Sequence, residues 1–556
     1  MSNILYILFS ILLICCGDTK VARAQAVPES KDLKQTLDSL KLIYPDVQVQ
    51  MDTKSGLPSS ITNLDSHDAG LLGQEIGPKK SPEEIVTDFF KGWGQGLLQM
   101  DKPAAEIRIL GKKPDPNFVN KVLVRVQQVS ANVDIVGAEA VAVVDVSSST
   151  LDSLNLDFVP PPSGNLQPRV PLESVANTAL QAYKKELSKS EQNNKLEMAI
   201  AGRDPQPSKP KLVFAKVPGA PDQKVSTRLC YLVSIGTYVF CVDAETGSLI
   251  AEHREVNQIE ERHTYDSNSS AILPGLLVLS QETDVVPTAQ IPQDARNVHA
   301  FASVVYNYYL KKFGRDGYDG GHAFESCVRF PITNNALWVP LIQKTIYAPG
   351  FAAALEIAGH EWTHAVIQHD SGLAVQDESG ALNESLADFF GIMVRANQSG
   401  QLDWKIGDTL PGHSPSCPLR DLANPHGPGF LRNQPYGPKN SGEPDQYSEF
   451  VKDTDPICNG SDNGCVHMNS GIFSKALQLA VDGGDQLGVH VPKVGSAKME
   501  TIIYGSISRL PSGSSLLRGA QTALQVCQEL QIKHVSSISE DDCTSLGDAF
   551  RSVGLQ

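Results

Sequence analysis

The chain has 556 residues, of which 41% are hydrophobic and 20% are charged. This composition is ordinary for soluble globular protein, and the length predicts about three or four domains. The net charge of −16 argues against a nucleic-acid partner, because such a surface needs clustered Lys and Arg.

The N-terminus carries an apolar run. Residues 4–16 read ILYILFSILLICC, which is shorter than the roughly 20 residues that span a bilayer. The run therefore predicts a secretory signal over residues 1–24, with a small-x-small cleavage sequence that ends at Ala24. A buried first strand or helix is one alternative, and a lipid anchor on Cys16 is a minor one. We expect an exported protein without a stable membrane anchor.

The cysteines after the signal are even in number, which predicts disulfides in an exported chain. Pairing of near neighbours is the simplest arrangement, and none of the spacings fits a zinc ribbon. The predicted pairs are Cys230–Cys241, Cys458–Cys465 and Cys527–Cys543. Cys327 and Cys417 would then pair with each other or stay free.

The first half of the chain mixes helix and strand patterns. Ser, Pro and two Glu open a helix at residue 81, alternation indicates strands, and a Pro-rich stretch indicates a linker. The predicted elements are a helix over 81–98, strands over 121–129 and 139–145, a linker at 160–164, a helix near 172–187 and a strand–Gly turn–strand over 229–242.

The second half is richer in helices. A long amphipathic helix is predicted over 294–313, and two more surround residues 351–396. The chain is rich in loops from about residue 411 and then mainly helical to its end.

Residues 351–365 read FAAALEIAGHEWTHA, which is typical of a helix. A helix places His360 and His364, four positions apart, on one face. Two imidazoles there can bind one zinc ion, which lowers the pKa of a water molecule to about 7. Glu361 lies beside them and can take the proton as general base. The competing interpretation is a surface helix with two solvated histidines.

A second helix over 376–395 offers the third ligand. Glu384 follows His364 by twenty positions and can return to the metal. Asp388, one turn further on, can hydrogen-bond a histidine ligand. The alternative for Asp388 is an ordinary helix carboxylate.

HEWTHAV followed by GALNESLADFFG resembles the thermolysin-like neutral metalloproteases. The resemblance extends from about residue 264 to 554. It implies an α+β protein, with a two-lobed catalytic domain that has a β-rich N-lobe, an α-helical C-lobe and the zinc helix between them. It implies one zinc ion per chain and hydrolysis of peptide bonds.

Three further segments resemble parts of the family that bind the substrate or stabilise the oxyanion. Asn335 and Ala336 lie in NALW, which resembles the edge strand that holds the substrate backbone. Arg420 in LRD matches a residue that binds a substrate carbonyl. His467 in DNGCVHMNSG matches the histidine that stabilises the oxyanion, and Asp462 matches the aspartate that orients it.

The same resemblance implies a specificity pocket. Ile357, Ile406 and Leu419 match the positions that line it. An apolar pocket gains about 0.8 kcal/mol for each buried methylene, whereas a charged side chain must be desolvated. Cleavage before bulky apolar residues is therefore predicted.

The upstream half resembles, more weakly, the family's inhibitory propeptide, which would act as an intramolecular inhibitor and be cut off near residues 256–262. The segments that carry this are 124–128 with 135–144, and 211–256, which resembles the PepSY module. The predicted divisions are a signal at 1–24, a first propeptide module at 25–160, a PepSY-like module at 161–258, a catalytic N-lobe with the zinc site at 259–410 and a helical C-lobe at 411–556.

Three positions depart from the family pattern. Val375 stands where an active-site Tyr is expected, and valine cannot donate a hydrogen bond to the oxyanion. Arg395 and Lys405 replace acidic residues of a double calcium site, which predicts weak or absent calcium dependence. They would instead pair with Glu356, Asp403 and Asp408.

Two alternative functions stay open on the sequence alone. One is a pseudoprotease that binds peptides without cutting them, which only Val375 supports. The other is a metal-dependent hydrolase of non-peptide substrates. An intact Glu361 favours the endopeptidase over the pseudoprotease.

Overall fold

The structure is a computed structural model that describes residues 33–52, 55–64, 80–100, 106–160, 162, 167–189, 205–217, 226–236, 238–254, 262–280, 283–319, 324–427, 442–455, 457–458 and 462–556. The predicted signal over 1–24 with Cys16, most of the linker at 160–164, and the predicted cleavage region before Arg262 lie outside these residues. Among the described residues, no helix combines the length and the hydrophobicity needed to cross a membrane.

The chain divides into two compact units. The first consists of Met1–Pro114, Asn120–Ser163 and Lys216–Thr227, and the second consists of Asp115–Val119, Gly164–Ala215 and Arg228–Gln556. The domain boundaries given above stay a prediction.

The first unit packs two helices on an antiparallel sheet. The strands follow the order β1-β2-β6-β5-β4-β3. The elements are α1 Leu33–Ile43, β1 Gln48–Met51, β2 Pro58–Thr62, α2 Pro82–Leu98, β3 Ile107–Pro114, β4 Lys121–Ser130, β5 Val133–Asp145 and β6 Thr150–Leu156.

Helix α2 begins where its sequence predicts. The Ser81 side chain accepts from the Glu84 amide while the Glu84 side chain accepts from the Ser81 amide, so the capping box is complete. The strand predicted over 139–145 is longer, because β5 begins at Val133. Its pairing with β4 shifts register between Gln127 and Val129, and this irregularity hides the alternation.

One helix and a strand meander follow in the chain, mostly within the second unit. These elements are α3 Leu172–Lys189, β7 Lys211–Val217, β8 Ser226–Ile235, β9 Tyr238–Asp243 and β10 Leu249–Arg254. Gly236, with a φ of +59°, makes the predicted turn between β8 and β9.

A mixed sheet of six strands follows, in the order β13-β12-β11-β14-β16-β15. Strand β15 stands at one end of that order, so the predicted edge strand is found. The elements are β11 His263–Asp266, β12 Leu276–Ser280, β13 Thr283–Asp284, α4 Gln293–Phe313, β14 Glu325–Val328, β15 Ala336–Val339 and β16 Lys344–Tyr347.

The remaining elements are mostly helical, as expected. They are α5 Leu355–Asp370, α6 Asp377–Ser399, β17 Lys405–Ile406, β18 Arg420–Asp421, α7 Val466–Asp482, β19 Gly484–Gln486, β20 Val489–Val491, α8 Ser496–Ile507, α9 Leu516–Ile532 and α10 Glu540–Ser552. Helix α5 starts later than Phe351, because Ala354 is extended, with a φ of −109° and a ψ of 123°.

Helices α5 and α6 approach closely because glycines face each other. A Cβ on Gly391 would lie 2.5 Å from the Glu356 carbonyl oxygen, and a Cβ on Gly359 would lie 3.0 Å from the Gly391 Cα. Any side chain at Gly391 would therefore push the helices apart. This close packing brings the candidate ligands of the two helices together.

The disulfide predictions for the three near-neighbour pairs are confirmed. The structure joins Cys230 to Cys241, Cys458 to Cys465 and Cys527 to Cys543. Cys327 and Cys417 are free.

Candidate active site

Three side chains of α5 and α6 converge on one point. His360 Nε2 lies 2.9 Å from His364 Nε2. Glu384 Oε2 lies 3.3 Å from His360 Nε2, and its Oε1 lies 3.4 Å from His364 Nε2. Ligands placed about 2.0–2.1 Å from a tetrahedral zinc ion stand roughly 3.3–3.4 Å apart. The two separations that involve Glu384 match this value, and the two imidazole nitrogens stand closer together.

The outer ring nitrogens decide which way the imidazoles face. His360 Nδ1 lies 2.7 Å from Asp388 Oδ1, and His364 Nδ1 lies 2.9 Å from Asn383 Oδ1. Both acceptors require Nδ1–H, so the two Nε2 atoms face each other. At 2.9 Å two lone pairs would repel, and either a proton shared between the two nitrogens or a bound metal ion relieves that repulsion. The donor set therefore fits a bound metal ion.

The carboxylates around this point are strongly acidic. Burial raises the pKa of Glu384, but the neighbouring histidines outweigh it and hold the pKa well below its usual range. Burial likewise opposes ionisation of Asp388, yet Arg420 and His360 lower its pKa to about 2. The Oε2 atom of Glu384 is buried and has no hydrogen-bond partner among the described residues. A cation would satisfy it.

Glu361 lies beside the two histidines. Atoms of His360, Glu361 and His364 all lie within 4.8 Å of one another. Burial raises the pKa of Glu361 to about 7, while the Trp338 amide of β15 donates to its carboxylate. Its Oε2 is buried without a hydrogen-bond partner among the described residues. This oxygen is therefore available to a water molecule or a substrate.

His467 approaches the same point from the start of α7. Its Nε2 lies 3.4 Å from Glu384 Oε2, and its Nδ1 bonds Asp462 Oδ1. Burial lowers the pKa of His467, but Glu384 and Asp462 outweigh it and raise the pKa to about 9. The ring is therefore held as a donor toward the site, and its side chain is 42% exposed.

Arg420 reaches the site through Asp388. Its Nε and Nη2 donate to the two Asp388 oxygens at 2.7 and 2.6 Å. This fork is buried, so Arg420 is not a surface ion pair. Arg420, Asp388 and His360 form one continuous chain of polar contacts that ends at the metal position.

The predicted pocket residues lie around the same elements. Ile406 pairs with Arg420 across β17 and β18, and its carbonyl accepts from the Leu419 amide at 2.9 Å. Ile406 is fully buried, whereas Leu419 is partly buried. Ile357 is buried on α5, three positions before His360.

The predicted substrate-binding strand is exposed at its start. Asn335 is exposed just before β15, and its carbonyl accepts from the Ala348 amide at 2.9 Å. Ala336 is half-buried. Because the Trp338 amide of the same strand contacts Glu361, β15 runs beside the candidate base.

Val375 lies in the turn between α5 and α6 and is 38% exposed. Part of its side chain is therefore accessible to solvent or to a bound molecule.

Two residues of the site were missed in the sequence. Asn383 holds the His364 ring, and its place directly before Glu384 was the available signal. Glu443 is buried, with an Oε1 that has no hydrogen-bond partner among the described residues. Burial raises its pKa well above its usual range although Arg420 lowers it. No spacing in the sequence relates Glu443 to the site.

A second polar cluster surrounds Arg395. Its Nη1 lies 2.9 Å from Asp408 Oδ1 and 3.4 Å from Glu356 Oε1. Its Nη2 donates to the carbonyls of Asp403 and Lys405, both at 2.7 Å. The Lys405 ammonium lies 3.8 Å from Asp403 Oδ1. The predicted ion pairs are therefore present.

His426, Asp445 and Glu449 form another group of possible ligands. The Glu449 carboxylate already accepts from His426, from the Gln446 amide group and from the Asp445 backbone. These contacts satisfy it, so we assign no metal to this exposed group.

Comparisons with known proteins identify the family. Residues 242–368 match the thermolysin metallopeptidase catalytic domain, and residues 371–555 match the thermolysin metallopeptidase alpha-helical domain. These two matches cover more than half of the chain.

Relatives include the thermostable neutral protease NprT of Geobacillus stearothermophilus, which is 33% identical over 52% of this chain and 50% of its own. Neutral protease B of Bacillus subtilis (strain 168) is 34% identical over 47% of this chain and 45% of its own. The chain thus spans about half the length of these relatives.

A structural overlap is found with the precursor of protealysin, a metalloproteinase from Serratia proteamaculans. The TM-score is 0.42 at 21% identity, over 55% of this chain and 91% of that one. The family matches decide the assignment. This chain belongs to the thermolysin metallopeptidase family.

Proposed function

We propose that this protein is a zinc-dependent endopeptidase. The observation that carries the proposal is the pair of imidazole Nε2 atoms 2.9 Å apart, both turned inward by their Nδ1 contacts, with Glu384 facing them. His360, His364 and Glu384 would hold one zinc ion per chain. The ion would supply Lewis-acid activation of the scissile carbonyl and of the attacking water.

The chain's own residues would carry the remaining steps. Glu361 takes the proton of the attacking water at its unpartnered Oε2 and later passes it to the leaving amine. His467, oriented by Asp462, donates a hydrogen bond to the negative oxygen that develops on the carbonyl. Asp388 holds the His360 ring and is itself held by Arg420.

Substrate contacts are proposed for the surrounding elements. Asn335 and Ala336 would align an extended peptide at the β15 edge, which offers main-chain hydrogen bonds. Arg420 would hold a substrate carbonyl with its remaining N–H. Ile357, Ile406 and Leu419 would accept a bulky apolar side chain after the cut bond.

We also propose that the chain is made as an exported zymogen. The apolar run at residues 4–16 supports export, and the resemblance of residues 25–258 to an inhibitory propeptide supports intramolecular inhibition. Protein or peptide substrates and its own propeptide are then the expected partners, with no nucleic acid.

Calcium binding at the Arg395 cluster is not expected. A guanidinium already stands within hydrogen-bond distance of Asp408 and within 3.4 Å of Glu356. A divalent cation would have to displace that charge.

One observation favours a second candidate, a catalytically weakened or inactive peptide-binding protein. Val375 offers no hydrogen-bond donor at the position where the family resemblance leads us to expect a Tyr. His467 and the metal would still stabilise the oxyanion, so we expect a slowed enzyme.

Casein digestion by the matured chain, with and without a zinc chelator, tests the proposal. We expect digestion that the chelator stops and that added zinc restores. Glu361→Gln is the matched control, because it should retain zinc but lose digestion. Tight peptide binding without digestion would support the second candidate.

A further inference from the structure

A disulfide lies directly before the helix that carries His467. Cys458 and Cys465 are bonded and seven positions apart, and Asp462 lies between them in the sequence. Both cysteines have 0% exposure, and they form a small apolar cluster with Met468 of α7. The bond therefore belongs to the interior of the second unit, at the start of α7, and not to its surface.

The Asp462 carboxylate is the group that fixes the His467 ring. Its Oδ1 bonds the ring Nδ1, and its Oδ2 accepts from the His467 backbone amide at 3.2 Å. The Asp462 carbonyl accepts from the Val466 amide at 3.0 Å. These contacts join residues that are close in sequence, so they depend on the path that the chain takes from Asp462 to His467.

That path runs through the left-handed conformation. Asn463, Gly464 and Cys465 have φ values of +45°, +90° and +60°. Glycine adopts this conformation freely and asparagine tolerates it, whereas the Cβ of a cysteine disfavours it. A residue keeps such a conformation when its surroundings fix it. At Cys465, the covalent bond to Cys458 is such a constraint.

Other contacts hold the neighbouring residues of the turn. The Asn463 carbonyl accepts from the Asp377 amide at 2.8 Å. The Asn469 side chain forms two hydrogen bonds of 2.9 Å with the Val451 backbone, one as acceptor and one as donor. These contacts do not depend on the disulfide. Loss of the bond should therefore loosen the turn at Cys465 without unfolding the lobe.

We propose that the Cys458–Cys465 disulfide is a positioning element of the active site. It fixes Cys465 in the left-handed conformation that turns the chain into α7, and so keeps Asp462 against His467. This inference rests on the proposed endopeptidase, in which His467 donates a hydrogen bond to the oxyanion. Because that bond acts chiefly in the transition state, removal of the disulfide should lower kcat more than it changes KM.

Three double variants of the matured enzyme test the proposal. Cys458→Ser/Cys465→Ser removes the bond and should lower kcat roughly 10- to 100-fold, with unchanged zinc content by elemental analysis. Cys458→Ser/Cys465→Gly should recover most of that loss, because glycine adopts the left-handed conformation without a covalent constraint. Cys527→Ser/Cys543→Ser removes the bond between α9 and α10 and is the control, which should retain the wild-type kcat. A wild-type kcat in the first variant, or equal losses in the first and second, would overturn the proposal.

A double-mutant cycle with His467→Ala separates positioning from a general loss of stability. If the disulfide acts through His467, its removal should cause no further loss of kcat once that ring is gone. The same loss of kcat with and without His467 would show that the bond acts elsewhere.

Hydrogen exchange of the uncut Glu361→Gln chain provides a measurement that needs no activity. The Val466 and His467 amides should exchange about 10-fold faster without the Cys458–Cys465 bond and at the wild-type rate without the Cys527–Cys543 bond. Unchanged exchange in both variants would overturn the proposal. A wild-type chain that digests no casein would instead refute the proposed endopeptidase, and the exchange rates would still decide whether the disulfide holds the turn.

Discussion

Two polar clusters of the second unit differ in the groups that face their buried carboxylates. At the metal position, Glu384 faces the inner nitrogens of two imidazoles at 3.3 and 3.4 Å. At the other cluster, Glu356 and Asp408 face the guanidinium of Arg395. The first arrangement can bind a cation from outside the chain. The second contains its own cation.

The two clusters differ in the feature that indicates a metal ion. Carboxylates alone do not, because an arginine can neutralise them and fill their space. Imidazoles whose Nδ1 atoms are held by other acceptors are a better indication, since their Nε2 atoms point together and can bind one metal ion. The two clusters should therefore respond in opposite ways when ions are removed.

Loss of a zinc ligand should have the largest effect. His360→Ala and Glu384→Ala should each lose the zinc ion and reduce peptide hydrolysis to background, because three protein ligands are the minimum for such a site. Elemental analysis of the purified variants measures the metal. His490→Ala is the control, since that histidine is 74% exposed. Full zinc retention in both ligand variants would refute the assignment.

Loss of the general base should separate metal binding from chemistry. Glu361→Gln should retain zinc and lose at least about 10²-fold in kcat, which is the lower range for general acid–base groups. Elemental analysis and steady-state kinetics on one preparation measure both quantities. An active Glu361→Gln variant would require another base.

Loss of the Arg395 guanidinium should lower the stability of the protein and not its rate of peptide hydrolysis. Arg395→Gln should lower the free energy of unfolding by about 3–5 kcal/mol, because it leaves buried carboxylates unpaired. Urea denaturation measures it. Lys405→Met is the matched control and should cost at most about 1 kcal/mol, because its partner Asp403 is 47% exposed.

Ion removal completes that comparison. A calcium-selective chelator should leave the melting temperature of the wild-type chain unchanged, since Arg395 occupies the cluster. Added calcium should recover part of the stability of Arg395→Gln. A large drop in the wild-type melting temperature with the chelator would contradict the prediction.

Loss of Asp388, which orients the ligand His360, should have a smaller effect than loss of the ligand itself. Asp388→Asn should weaken zinc affinity about 10- to 100-fold. Competition with a fluorescent zinc chelator measures the affinity. Asp485→Asn is the control, because its 2.9 Å contact with His490 is the same chemistry on an exposed surface. Equal affinities in the two variants would remove Asp388 from the site.

Restoring a donor should have the smallest effect. Val375→Tyr should raise kcat about 10-fold with less change in KM, because the new hydrogen bond acts chiefly in the transition state. Steady-state kinetics on an apolar peptide substrate measures both. If kcat stays the same while His467→Ala abolishes activity, no donor is missing at this position.

Much of the secondary structure could be predicted because its signals are local. The capping box at Ser81 and the turn at Gly236 each depend on residues within a few positions. Errors arose where local signals compete. The start of α5 shifted because Ala354, an excellent helix former, is held extended after a single tight turn over Phe351–Ala353.

By itself, the sequence determined the helical spacing of His360 and His364 and the near-neighbour disulfides, because the partners lie within about one element of each other. Only the tertiary structure decided which groups contact the Nδ1 atoms of the two histidines. Asn383, Asp388 and Arg420 act on the histidine rings across different elements. The Gly359–Gly391 approach sets those distances, and no spacing along the chain encodes it.

A contact between residues far apart in the sequence shows the limit of prediction. Asp115 reads as the first residue of an ordinary Asp-Pro-Asn turn. Its partner Arg509 lies 394 positions away, in the helical lobe. The partner of a buried charge is the group that the fold places beside it. That placement depends on the whole tertiary structure.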